Sequence, residues 1–434
     1  MALQNPLVSI LHTLLVVGFL KTATPLVQAQ EESAAETDKA VVINMREPAP
    51  TEAGGPEALT DSALIQEYRQ AILAIERRDG AYAATLPEQL LGLATALQEM
   101  ERHKEATQAL KRGVHLSRIN SGLYSAEQIA LLESEIESLR AIGDYQQVDE
   151  RQSYLYRVQQ TAIGDQRELA DALMRQAEWQ REAYLLGLGE EADRAARLLL
   201  MWDLYRVALR ARADAFGQES LTLREPLLGM LETQYLVSRN DFFAAATPGS
   251  GVDVRLTRMN IESYRRGETV LKAIVELSET NNMSGERRAS DLVALADWAL
   301  WCGRREAAAQ YYGDALAFLA ELENGEALRE QLFGLPTLLP TLEGLRPFPD
   351  PRWDDQGDIA LGFSVSEAGR TDDVERLARA DVEESSTQNA LYRALRSALF
   401  RPRFENGEPA GTQGMIWSWA APSVEGKVSL WNAR

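Results

Sequence analysis

Nucleophiles and metal ligands are scarce in this chain, which carries one cysteine, Cys302, and three histidines, His12, His103 and His115. A single thiol forms no intrachain disulfide. His12 falls in a leader segment, so Cys302, His103 and His115 are too few for a Cys/His zinc centre. His103 and His115 lie twelve residues apart in one helical hairpin, where turn or surface positions suit them better than catalysis. Asp354-Asp355 and Asp381-Val382-Glu383-Glu384 offer oxygen ligands but lack the spacing of a calcium loop, and read as solvated surface. No phosphate loop, dinucleotide fingerprint, paired-histidine motif or Cys-x-x-Cys pair occurs. The expectation is a non-enzymatic protein without metal or cofactor, acting through backbone edges and surfaces.

The elements that must carry such surfaces follow from length and charge. The 434 residues are enough for two or three folded units, and 65 acidic against 45 basic residues give a formal net charge of −20. That balance argues against a surface built for nucleic acid or anionic lipid, which needs a basic face. Leu7 to Leu20 form an apolar run too short to span a bilayer comfortably, and Val27-Gln28-Ala29 supplies small residues at its end. This predicts a signal peptide over residues 1–29, a mature start at Gln30 and a periplasmic location; retention of the run as an inner-membrane anchor is the alternative. Residues 30–58, rich in Glu, Ala, Thr, Pro and Gly, read as an acidic disordered spacer.

From 59 to 335 apolar residues recur three and four apart, which predicts successive amphipathic helices. Ala192 to Ala215 reads as one long buried helix and Phe242 to Asp253 as a loop. Three turns, at Glu101-Arg102-His103, Gly143-Asp144-Tyr145 and Gly303-Arg304-Arg305, each precede a small residue: Ala106, Val148 and Ala308. Around Ala106 fall Leu90, Leu93, Ala94, Leu97, Leu110 and Gly113, and around Ala308 fall Leu292, Leu295, Ala296, Ala299, Tyr312 and Ala315. These sets resemble tetratricopeptide repeats, although Ala106 and Val148 are 42 residues apart instead of about 34, and Glu135 and Gln152 stand at apolar places. A generic array of helical hairpins is the alternative. The resemblance implies an α-solenoid whose concave face presents Thr95, Gln98, Asp297 and Trp301 to a protein partner; ordinary solvated or inter-repeat roles are the alternative for each.

Residues 336–354 contain Pro336, Pro340, Pro347, Pro349 and Pro351 and read as a linker. Beyond it the period changes. Ile359, Leu361, Phe363 and Val365 alternate with small residues in a strand, Glu367-Ala368-Gly369-Arg370 makes a turn, and a less regular strand runs through Val374 and Leu377. A helix over about Thr387 to Leu399 and a last strand with Met415, Trp417 and Trp419 complete a small α+β domain over 355–420, with 421–434 as a tail.

The strand-strand-helix-strand order, Phe363 to Arg370, and Phe400-Arg401-Pro402-Arg403-Phe404 before Asn406-Gly407 resemble the C-terminal domain of the TonB family. Thr371 and Arg376 depart from its apolar pattern. The resemblance implies β-augmentation, in which an edge strand pairs with a strand from a partner. The implied edge is Thr412, Gln413, Gly414, Met415, Ile416, Trp417, Ser418 and Trp419, with Met415, Trp417 and Trp419 either in the core or in a partner pocket. The tail from Ala420 to Arg434, with Trp431, is positioned to cover that edge.

Together these readings predict a mainly α protein: a tetratricopeptide-like solenoid, then a TonB-like domain, forming an interaction scaffold of the Gram-negative cell envelope. Its partners would be envelope proteins, including a segment of an outer-membrane protein. The alternative is a membrane-anchored TonB-type energy transducer for outer-membrane transport. That reading needs a permanent anchor and a long spacer, and Ser9 and His12 lie three residues apart where such anchors space the pair by four.

Overall fold

The computed structural model describes residues 56–239, 251–342, 344–346, 348–377 and 386–420, with Leu7, Ile10, Leu11, Thr13 and Leu14 of the leader. Leu7, Leu11 and Leu14 are helical and buried, a spacing that puts them on one helix face. The expected cleavage site, most of the spacer and the tail from 421 onward lie outside the described residues. The chain is mostly helical with a small C-terminal sheet region, and its contacts divide it into two units, 15–172 and 173–434 together with 1–14.

The first unit holds α1 (Pro56–Asp79), α2 (Leu86–Glu99), α3 (His103–Ser121), α4 (Gln128–Ala141) and α5 (Tyr145–Ala162). The last residues of the expected spacer, from Pro56, thus belong to α1. Successive helices pack on one another. Ala94, Ala106 and Gly113 are buried where helices approach closely, and a Cβ on Gly113 would meet a Leu131 methyl at 2.8 Å. Polar contacts between alternate helices share one sequence separation. Arg69 to Glu105, Gln98 to Ser134 and Lys111 to Gln147 all join residues 36 apart. Glu135, which stands where α2 has Leu93, is 0% exposed and takes a hydrogen bond from Arg151 Nε at 2.9 Å. Burial pushes its carboxyl up, against the pull of Arg151 and Lys111.

The helix α6 (Gln166–Leu185) leads into the second unit, which continues with α7 (Glu191–Phe216), α8 (Arg224–Ser238), α9 (Gly251–Ile261), α10 (Ser263–Thr280), α11 (Gly285–Trp301), α12 (Arg305–Ala320) and α13 (Gly325–Phe333). The long buried helix is α7, as the sequence predicts. Of the loop expected from Phe242 to Asp253, residues 242–250 lie outside the described residues, and 251–253 already belong to α9. Arg224 on α8 forks onto Asp291 of α11, which also accepts from Ser278 on α10, so one buried carboxylate ties three helices.

Among the described residues five helices end in one kind of turn. The amides of Arg102, Asp144, Leu188, Met283 and Arg304 each bond the carbonyl five residues back, and the residue before each has positive φ. Glycine fills that place at 143, 187 and 303, Asn at 282 and Glu at 101.

The proline-rich segment is not a mere linker. Thr337–Leu339 forms β1, which pairs antiparallel with β4 (Leu399–Arg401), and Leu338, Leu339, Leu345 and Phe348 are buried. Its prolines lie outside the three strand residues, so they interrupt no ladder, and its apolar side chains supply core. The sheet proper has the order β3-β2-β7, with β2 (Ile359–Val365) between β3 (Thr371–Arg376) and β7 (Thr412–Trp419), all antiparallel. The helix α14 (Ser386–Arg396) places Leu391, Ala394 and Leu395 against the β2 and β7 side chains in one core, and the short hairpin β5 (Arg403–Glu405) and β6 (Glu408–Ala410) precedes β7.

Gly369 makes the β2–β3 turn with φ +72. The two polar residues of β3 that break the apolar pattern hold α14 by other means. Thr371 Oγ1 donates to the Leu395 carbonyl at 2.7 Å, and Arg376 lies 4.6 Å over the Tyr392 ring and bonds Asn389.

Candidate functional site

Met415, Trp417 and Trp419 alternate inward along β7, while Ile416 points out and is 37% exposed. Trp417 lies at the centre of an aromatic cluster, with ring centroids 5.0 Å from Phe363, 5.5 Å from Phe400 and 5.8 Å from Phe348. The three inward residues therefore belong to the core. Trp417 Nε1 is buried without an acceptor among the described residues.

The ladder fixes which backbone groups face outward. Residues 415, 417 and 419 stand opposite Phe363, Leu361 and Ile359 on β2. The N–H and C=O of Ser418 instead bond the C=O and N–H of Arg352 on the far side, at 3.0 and 2.8 Å. Because direction alternates along an antiparallel strand, Ile416 also presents its N–H and C=O away from β2. Among the described residues neither group has a partner. Gly414 has φ +70, Gln413 is exposed, and Thr412 Oγ1 is buried without a partner among the described residues.

The four residues predicted for a concave face have separate fates. Thr95 is exposed, with its hydroxyl bonded to the Leu91 carbonyl. Gln98 is engaged by Ser134 and Ser138 of α4. Trp301 is half-buried; its Nε1 donates to Ser238 Oγ at 2.8 Å and its ring lies against Tyr235.

Asp297 is 1% exposed and is not presented to a partner at all. It accepts from Tyr312 at 2.7 Å and from Arg401 Nη1 on β4 at 3.1 Å, and Arg401 Nη2 reaches Thr337 on β1 at 3.0 Å. The Phe404 ring completes this seam between Tyr312 and Phe333, 5.1 and 4.9 Å away. Burial holds the Asp297 carboxyl above its ordinary range, opposed by Arg401 and Tyr312, and burial also lifts the Tyr312 hydroxyl well above its usual value. At Asp297 the position predicted to receive a partner is taken by Arg401 of the chain's own β4.

The sequence gives no sign of Arg352, shows Arg401 only as part of a motif, and places Ser418 on the edge without its pairing to Arg352. Arg401 follows two buried apolar residues in Leu399-Phe400-Arg401, and a lone cation in a buried strand is the signal that a buried acid must face it. Arg352 and Ser418 meet through main-chain groups, which leave no mark on residue type. Among the described residues no three His, Cys, Asp or Glu side chains converge as metal ligands. No protein-family model and no curated protein matches the chain.

Proposed function

We propose that the chain is an exported, periplasmic interaction scaffold whose C-terminal domain captures an extended segment of an envelope protein by adding it to β7. The outward backbone of Ile416, which has no partner among the described residues, carries this reading, because an edge strand with free N–H and C=O groups is a template for another strand. The β3-β2-β7 order with α14 between β3 and β7 agrees with the resemblance to the TonB C-terminal domain. Neighbour-on-neighbour packing of α1 to α5 and three contacts between residues 36 apart support tetratricopeptide-like hairpins in the first unit. The helical region would dock a second partner, with Thr95 rather than Asp297 on an available surface.

Replacing Ile416 with Pro removes an outward donor and leaves the ladder to β2 intact. Extended peptides selected on the full chain should lose binding to Ile416→Pro while its unfolding midpoint stays near that of the wild type. Undiminished binding would refute strand addition. For the location, N-terminal sequencing of the protein from a Gram-negative host should give a start at Gln30 in the soluble periplasmic fraction; an intact Met1 in the inner membrane would favour the transducer instead.

A further inference from the structure

Ser418 spends every polar group it has on the segment that precedes β2. Besides the paired backbone bonds to Arg352, its Oγ accepts from the Gly357 N–H at 2.9 Å and donates to Asp354 Oδ1 at 3.0 Å. Next to it, Trp419 Nε1 donates to the Pro349 carbonyl at 2.9 Å. The Trp353 ring lies edge-on to Trp417 at 5.5 Å, yet Trp353 remains 57% exposed. Gly357 is pressed so closely on β7 that a Cβ would stand 2.6 Å from the Trp419 carbonyl oxygen and 2.7 Å from its nitrogen. Residues 349–357 thus form a strap along the outer side of β7 that takes the Ser418 rung and stops short of the Ile416 rung.

We propose that this strap is an internal competitor for the β7 edge, and that the partner is an extended strand that displaces it, laying an aromatic side chain on Trp417 where Trp353 now lies. The inference rests on strand addition as the function and adds its regulation and the partner's chemistry. A partner pairing only with Ile416 gains one rung, and one that also wins Ser418 must break the strap's bonds. The strap is suited to yield: it pairs with β7 through one residue and holds no ladder of its own.

Two variants loosen the strap without touching β7 backbone donors. Gly357→Ala sets a methyl against the Trp419 backbone, and Ser418→Ala removes the hydroxyl node without adding bulk. In the full wild-type chain, hydrogen exchange read residue by residue should show the Ser418 amide about tenfold or more slower than that of Ile416, with the difference largely lost in Gly357→Ala. Equal rates in the wild type would overturn the strap.

Ten-residue peptides from a displayed random library, selected on the full Gly357→Ala chain and then synthesised, should carry a shared aromatic position. They should bind that chain about tenfold more tightly than wild type, equivalent to about 1.4 kcal/mol, with Ser418→Ala between the two. Equal affinity for all three chains, or no aromatic preference, with binding still abolished by Ile416→Pro, overturns the inference and leaves strand addition standing. Peptides indifferent to Ile416→Pro, or no peptides at all, overturn both.

Discussion

Replacing Arg401 with Met tests whether the C-terminal strands and the last helices of the array form one folded body. Arg401 is 5% exposed and its guanidinium is the bridge between Asp297 on α11 and Thr337 on β1. Methionine keeps most of the volume but strands the Asp297 carboxylate, which retains only the Tyr312 hydroxyl. Removing one partner of a buried ion pair costs about 3–5 kcal/mol, because the other charge has no water to turn to. Replacing both, as in Asp297→Leu with Arg401→Met, removes the desolvation penalty together with the attraction and should return to within about 2 kcal/mol of the wild type. Urea unfolding followed by tryptophan fluorescence reads both, since Trp298 and Trp417 are buried in this unit.

The pH dependence of the deficit has a definite sign. The Asp297 value is raised by burial, so the folded state holds this proton more tightly than the unfolded chain does. Stability from that site is then fully present below the unfolded value and is lost as pH rises through the folded value. Without Arg401 the folded value rises further, so the deficit of Arg401→Met should shrink on acidification. A deficit under about 1 kcal/mol, or single-variant costs that add within about 0.5 kcal/mol in the double variant, would refute a shared buried pair.

Further predictions concern the first unit. Glu135→Leu restores the apolar side chain that α2 has at Leu93 and frees Arg151, about a third exposed, to reach water; it should stabilise by about 1–2 kcal/mol near neutral pH. Because burial raises Glu135, its cost fades as pH drops through the folded value, so the advantage of Glu135→Leu should narrow in acid. A loss of stability by denaturant unfolding would contradict this. Glu101 is the one exposed acid among the five turn residues at positive φ, with φ +57, and Glu101→Gly should gain about 0.5–1 kcal/mol by relieving backbone strain. An unchanged or lowered midpoint would show that the turn carries no such strain.

Periodicity made the repeated elements readable where side chains alone set the structure. Ala94, Ala106, Ala296 and Ala308 are small because helices meet there, and all four are buried. The alternation in β2 and β7 and the apolar face of α14 predicted a core that contains their residues. Partners distant in sequence were not readable. Asp297 and Arg401 are 104 residues apart, and an Asp on an amphipathic helix looks solvated until its cation is known. Prolines made 336–354 read as a linker, although Leu338, Leu345 and Phe348 within it are buried. The strap on β7 acts mainly through backbone atoms and glycine's lack of a side chain, so residue types around Arg352 and Gly357 gave little sign of it.

The most direct measurement is hydrogen exchange at the Ile416 amide of the full chain, with and without a saturating extended peptide selected on it. Strand addition predicts fast exchange in the free chain and strong protection in the complex, because the outward N–H acquires an acceptor on the added strand. An Ile416 amide that exchanges equally fast when the peptide is bound would contradict the account at its centre.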